Sequence, residues 1–167
     1  MIGRLATAAA ALALAGCGTA IVLPAASGAR LDPAAFFAGR TSGEATLEKV
    51  GGRPVRIRVD SVGTLNAGGL ILVQSIREEG KPPRTRRWAM RRVGPDRYSG
   101  TLTDADGPVS IRLRGPRAFV DYTMKNGMTV EQQLALQADR RTVLNHMTIR
   151  RFGIEVAELR ETIRKRD

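Results

Sequence analysis

From Thr41 onward apolar residues recur with a period of two, and clusters of Gly, Pro, Asn and Asp break the pattern at intervals of about 8–12 residues. Successive side chains of a strand point to opposite faces, so a chain written this way has one dry face and one wet face in each short segment. A helical stripe would need spacings of three and four, and no long stretch offers them. Val55, Ile57 and Val59 alternate with Arg56, Arg58 and Asp60; Trp88 and Met90 with Arg87 and Arg91; Val109, Ile111 and Leu113 with Ser110, Arg112 and Arg114. Breaks fall at Gly51-Gly52, Ala67-Gly68-Gly69, Glu79 to Pro83, Gly94-Pro95-Asp96, Asp104 to Pro108, Gly115-Pro116 and Asp139-Arg140, and Asn126-Gly127 is a strong hairpin signal.

The pattern predicts strands over residues 41–50, 55–60, 70–77, 85–93, 98–103, 109–114, 119–125, 128–138 and 142–152. The last segment, 154–165, is open between two readings. Val156, Leu159 and Ile163 suit a helix, while Ile154 and Val156 suit a strand. Consecutive hairpins without a long crossover predict an all-β fold, an antiparallel up-and-down barrel of about 8–10 strands, whose closure removes exposed edges. Asp32 as N-cap and Pro33 at the first helical position allow a short helical turn before the first strand, with Phe36 and Phe37 packed on the domain.

The N-terminus has a different character. Met1 to Arg4 carry one positive charge, an apolar run follows from Leu5 to Ala15, and Leu14-Ala15-Gly16-Cys17 closes it. That order is the order of a secretory signal, and the run is shorter than the roughly 18–20 apolar residues that span a bilayer. Small residues before a thiol look like a bacterial lipobox, in which the cysteine is acylated and becomes the mature N-terminus. The expected organisation is a signal peptide over residues 1–16, a lipidated N-terminus and tether over 17–35, and a barrel domain over 36–167. Cys17 is the one cysteine, so no disulfide is expected and the core alone must hold the domain. Two or more acyl chains would make the anchor firm, and Gly18 rather than Asp points by analogy to the periplasmic face of the outer membrane.

The formal net charge is +11, and 23 of the 27 basic residues are Arg. Such a surface suits anionic partners, and export argues against nucleic acid. Arg56, Arg58, Arg87, Arg91, Arg112 and Arg114 form a candidate cationic surface able to meet lipid phosphates. On the other face, Ile57, Val59, Leu72, Trp88, Met90, Ile111, Leu113 and Leu134 are the candidates to line a ligand cavity, or else simply to fill the core. His146 is the one histidine, and its neighbours in the alternation, Leu144 and Thr148, give it a structural reading. No second His or Cys completes a metal site, and no phosphate loop or nucleophile elbow is present. Asp104-Ala105-Asp106-Gly107 opens like a calcium loop but lacks the later acids, and reads as a turn. Neither cofactor nor metal is expected.

Several short motifs occur together in order: Leu31-Asp32-Pro33-Ala34-Ala35-Phe36-Phe37-Ala38-Gly39-Arg40, Arg87-Trp88, Asp96-Arg97-Tyr98-Ser99-Gly100, Leu144-Asn145, Phe152-Gly153 and Glu155-Val156-Ala157-Glu158-Leu159. With these the chain, from about Leu31 to Lys165, resembles a family of proteobacterial lipoproteins catalogued as domain of unknown function 3833. The resemblance implies envelope localisation and a lipocalin-like barrel. Members usually carry Asp and Trp before the last two strands; here the stretch reads Glu131-Gln132-Gln133-Leu134-Ala135-Leu136, so any ligand contact made by those residues is altered.

The leading expectation is a non-enzymatic, membrane-tethered barrel that binds or shuttles an amphipathic molecule such as a lipid or fatty acid. The alternative is a structural or interaction lipoprotein, a solid barrel whose cationic exterior engages envelope polymers or a partner protein.

Overall fold

The computed structural model describes residues 21–166; Cys17 and the segment expected to be a signal peptide lie outside them. One short helix, α1 (Pro33–Phe37), precedes ten strands: β1 (Gly39–Lys49), β2 (Val55–Asn66), β3 (Gly69–Glu78), β4 (Arg84–Gly94), β5 (Arg97–Leu102), β6 (Val109–Arg114), β7 (Arg117–Thr123), β8 (Thr129–Leu136), β9 (Thr142–Arg151) and β10 (Ile154–Arg166). Each strand pairs antiparallel with the next, and β10 pairs with β1 to close the barrel. The fold is all-β, an up-and-down lipocalin-like barrel. The open question over residues 154–165 resolves as strand: β10 bonds β1 on one side and β9 on the other, and that ladder outweighs the helical spacing.

Alternation sorts the side chains as the sequence implies. Ile57, Val59, Leu72, Trp88, Met90, Ile111, Leu113 and Leu134 are all buried, while Arg56, Arg58, Arg87, Arg91, Arg112 and Arg114 are exposed. The six arginines occupy β2, β4 and β6, with one strand between each, and Arg112 is paired with Asp121 at 2.9 Å.

One end of the barrel is plugged. Residues 26–38, assigned from sequence largely to a tether, are docked rather than free. The Ala26 N–H donates to Leu136 O (2.8 Å) and the Leu31 N–H to Gly115 O (2.9 Å), with Ala29 and Leu31 buried. Asp32 caps α1 through the Ala34 N–H, and Phe36 and Phe37 meet edge-to-face with centroids 5.0 Å apart. At the other end of the helix, Lys165 Nζ donates to the carbonyls of Ala35, Phe36 and Ala38 at 2.9–3.0 Å, satisfying acceptors a short helix leaves open. Gly63 makes the docking possible, because a Cβ there would overlap the Phe37 carbonyl.

The lock on this plug is a three-residue cluster. Tyr98 OH donates to Asp32 Oδ1 (2.7 Å), and Arg92 Nη2 donates to both Asp32 Oδ2 and Tyr98 OH (2.7 Å each) with its guanidinium 4.6 Å over the Tyr98 ring. Burial, together with the Asp32 carboxylate that accepts its proton, pushes the Tyr98 phenol up to about 12. Burial acts to raise Asp32, but the bonds from Tyr98, Ala35 and Ala34 and the charge of Arg92 outweigh it and lower the carboxyl below its ordinary value.

The opposite end carries the loops 50–54, 79–83, 103–108, 124–128 and 152–153. The last of these is a two-residue hairpin turn, with Phe152 at φ 52° and Gly153 at φ 79°. Both residues therefore occupy the left-handed region that favours Asn-Gly. A bulky side chain there costs roughly 1 kcal/mol. Phe152→Asn is accordingly expected to stabilise the fold by ~1 kcal/mol, seen as a higher urea midpoint at unchanged slope.

Candidate functional site

The barrel is not solid. A cavity of about 160 Å³ runs along its interior, lined by residues from every strand except β5. Pro33 and Phe37 of the plug form its floor. Arg84, at the far end of β4, lines it while its side chain remains 49% exposed, which marks the mouth among the loops opposite α1. Seven of the eight residues expected to line a cavity do so: Ile57, Val59, Leu72, Trp88, Met90, Ile111 and Leu134. Leu113 does not. β6 ends one residue later against the plug, so Leu113 packs in the core cluster with Ala29 and Leu31 instead.

Within the apolar lining lies a polar belt that the sequence reading did not single out. Gln74 Oε1 accepts from Trp88 Nε1 (2.7 Å) and from Arg86 Nε (3.1 Å). Asn145 Nδ2 donates to Glu161 Oε2 (3.0 Å), and Gln132 Nε2 donates to Tyr122 OH (3.4 Å). Trp88 and Tyr122 meet edge-to-face with centroids 5.9 Å apart. Every one of these side chains lines the cavity. The signal was available in the alternation: Arg86 is in phase with Trp88 and Met90, Gln74 with Leu72 and Ile76, Asn145 with Val143 and Met147.

Two members of the belt are incompletely satisfied. The Asn145 Oδ1 atom is buried without a hydrogen-bond partner. The Arg86 side chain is only 14% exposed, yet its one hydrogen bond among the described residues is from Nε to Gln74, and its nearest acid, Asp104, lies 4.0 Å from Nη1. A guanidinium carries five donors, so beyond the Nε bond four remain on Arg86 for solvent at the mouth or for an anionic group. Arg86 sits one inward-facing step below Arg84, just inside the mouth.

Two carboxyls also line the cavity: Glu78 near the mouth, its side chain 8% exposed and paired with Lys81 at 2.6 Å, and Glu161 deeper on β10. Burial pushes the Glu161 carboxyl up, opposed by the Asn145 bond and by Arg86. Room for it comes from Gly43 on β1, where a Cβ would overlap the Glu161 carboxylate. Because the folded state holds the proton more tightly than the unfolded chain, Glu161 contributes stability that is present below its ordinary 4.5 and lost as pH rises through the folded value. Glu161→Gln should therefore match the parent near pH 4 and exceed it increasingly at higher pH, measured as the difference in urea midpoints. Burial likewise raises Tyr122, against the lowering effects of Arg86 and Gln132.

His146 points out of the barrel. Its Nε2 lies 2.7 Å from Glu158 Oε1, and Glu158 also accepts from Arg160 at 2.7 Å, so the ring serves a surface ion cluster on β9 and β10. Asp104, in the turn read from Asp104 to Gly107, pairs with Arg84 at 3.1 Å and so belongs to the mouth. Among the described residues, no group of three or more His, Cys, Asp and Glu is disposed to hold a metal ion, and no helix is long and apolar enough to cross a membrane. The stretch Glu131 to Leu136, where the resemblance implies Asp and Trp, forms β8 and contributes Gln132 to the belt.

Comparison with curated proteins gives no match. Among solved structures the barrel is similar to the S-type phycobiliprotein lyase CPES from Guillardia theta, with a TM-score of 0.64 at 7% identity, over 80% of this chain and 90% of that one. At that identity the likeness is one of fold, and a barrel of this fold is compatible with binding a small molecule. The model of the protein family of unknown function DUF3833 matches residues 11–165, which is nearly the whole chain, and the protein belongs to that family.

Proposed function

We propose that the protein is a lipid-anchored envelope barrel that binds a single-chain amphiphile with an anionic head, tail first, without chemically altering it. The observation that carries this reading is the Arg86 guanidinium, set in the wall of a largely apolar cavity just inside its mouth, whose Nη groups make no hydrogen bond among the described residues and have Asp104 as their nearest acid, 4.0 Å from Nη1. An anionic oxygen pair would satisfy those donors by charge-assisted bonds, the strongest available to a side chain. The tail would run past Trp88, Met90 and Leu72 toward Phe37 at the floor. Volume limits the ligand: a dry cavity of about 150 Å³ takes a molecule the size of benzene, so 160 Å³ takes one chain at the short end of the medium-chain acids and not a two-chain phospholipid. Burial raises the Glu161 carboxyl, which weakens its opposition to a bound anion.

The sequence at Leu14 to Cys17 supports acylation and export, and Gly18 supports the periplasmic face of the outer membrane as the place of work. A barrel held there by its N-terminus would carry or hold an amphiphile between membrane and periplasm. The test is native mass spectrometry of the chain carrying Cys17→Ala, purified from a bacterial envelope and then titrated with medium-chain carboxylic acids. A one-to-one adduct is expected, and protein that stays empty at every concentration would contradict the reading.

A further inference from the structure

At the mouth end, the barrel exposes a compact apolar patch. Phe152 is 90% exposed, Val50 78% and Ile154 71%. They are neighbours: Ile154 pairs with Arg151 across the Phe152-Gly153 turn, and the Val50 N–H donates to Val156 O (3.0 Å), which sets the β1–β2 loop beside the root of β10. Of the other exposed apolar side chains, Val22 (72%) belongs to the N-terminal segment, while Val62 and Val73, paired on the flank of β2 and β3, are only 52% and 41% exposed. The turn itself is the sharper sign. Its backbone calls for Asn or Gly, yet the chain places a phenylalanine there, in a strained conformation and in full contact with water. Packing inside the barrel gives no reason for that choice.

Charge surrounds the patch. Arg151 lies 5.5 Å over the Phe152 ring, and Lys49 and Arg53 flank Val50. None of the three has an acidic partner among the described residues, while Glu155 is the acid next to Ile154. The N-terminal segment leads to the same end. From Ala26 at Leu136 it runs outside β8, Leu23 N–H to Gln133 Oε1 (3.1 Å), until Ile21 shares a groove with Glu131 and Arg150. Only three residues lie between Cys17 and Ile21 in the sequence, so the chain can span at most about 14 Å between them.

We propose that this rim docks on an anionic phospholipid bilayer, with Phe152, Val50 and Ile154 entering the boundary between headgroups and acyl chains while Lys49, Arg53 and Arg151 meet lipid phosphates. An apolar wedge ringed by cations is the chemistry that binds such a surface. The docking stands apart from what the cavity holds. If the ligand reading also holds, the mouth faces the bilayer and a chain can pass between the two without crossing open water.

The test is flotation of the unacylated chain, Cys17→Ala, with vesicles of phosphatidylcholine containing phosphatidylglycerol, and with phosphatidylcholine alone. Binding is expected to favour the anionic vesicles, to weaken with salt, and to fall at least about tenfold in Phe152→Ser/Ile154→Ser. Phe152→Asn should lower binding while raising the melting temperature, a combination that loss of folding cannot produce. Flotation of the double variant equal to that of the parent, or no flotation of the parent, would overturn the proposal. So would flotation lost in Arg86→Met but kept in the double variant, since Arg86 at the mouth, and not the rim, would then be meeting the lipid phosphate; that result would leave the ligand reading standing.

Discussion

Arg86→Met is expected to weaken binding of a medium-chain carboxylic acid by about 10–100-fold while leaving the affinity for the matching alcohol nearly unchanged. A hydrogen bond to a charged group contributes roughly 1.5–3 kcal/mol net, and that range sets the factor. Methionine keeps much of the apolar stem while removing the guanidinium, whose carbon lies 5.5 Å from the Trp88 ring centre, so the lining changes little in shape. Gln74 loses one donor but retains the Trp88 Nε1 bond at 2.7 Å. Calorimetric titration of both ligands against both proteins makes the comparison. Equal losses for acid and alcohol would show that Arg86 shapes the cavity rather than reading charge.

Asp32→Ala should be the most damaging single change at the plugged end, with a stability cost of about 2 kcal/mol. Around 1 kcal/mol of that is the lost helix cap, and the remainder is the Tyr98 and Arg92 bonds, discounted because Asp32 and Arg92 are both nearly half-exposed. For a chain of this size the midpoint should fall by roughly 5–8 °C in a melting experiment. The parent has a further signature. Asp32 is lowered in the folded state, so its contribution is present above the ordinary carboxyl value of 3.8 and lost as pH falls through the folded value. Parent and variant should therefore converge in acid. Because α1 forms the cavity floor, the variant should also bind ligand less tightly, an effect that Arg86→Met does not share with stability.

How much of this was legible in the residues follows from what alternation encodes. Period two fixes which side chains share a face, so the buried set from Ile57 to Leu134 and the exposed arginines could be read directly. Strand count and order followed from the turns. Alternation does not encode depth along the barrel, and that is why Leu113 was placed in the cavity wall when the plug in fact covers it. Nor does it encode which charges meet, so it could not show that Arg112 on β6 pairs with Asp121 on β7. The docked segment was misjudged for a different reason. Its few apolar residues, Ala29 and Leu31, carry no periodicity, and their burial depends on acceptors such as Gly115 O that belong to a distant loop. The belt of Gln74, Arg86, Gln132, Asn145 and Glu161 was written in phase with the apolar face. A polar residue in that phase reads as an interruption until the fold shows several of them meeting inside.

The central claim is that an amphiphile enters the barrel, and the chain contains its own reporter. Trp88 is the one tryptophan and stands in the cavity wall. The decisive measurement is quenching of its fluorescence by a medium-chain carboxylic acid carrying bromine at the methyl end. Quenching that saturates at one ligand per protein, and that is abolished when Val120→Phe fills the cavity, is the predicted result. Quenching that is absent, or that rises linearly without saturating and is the same in the filled variant, would contradict the account.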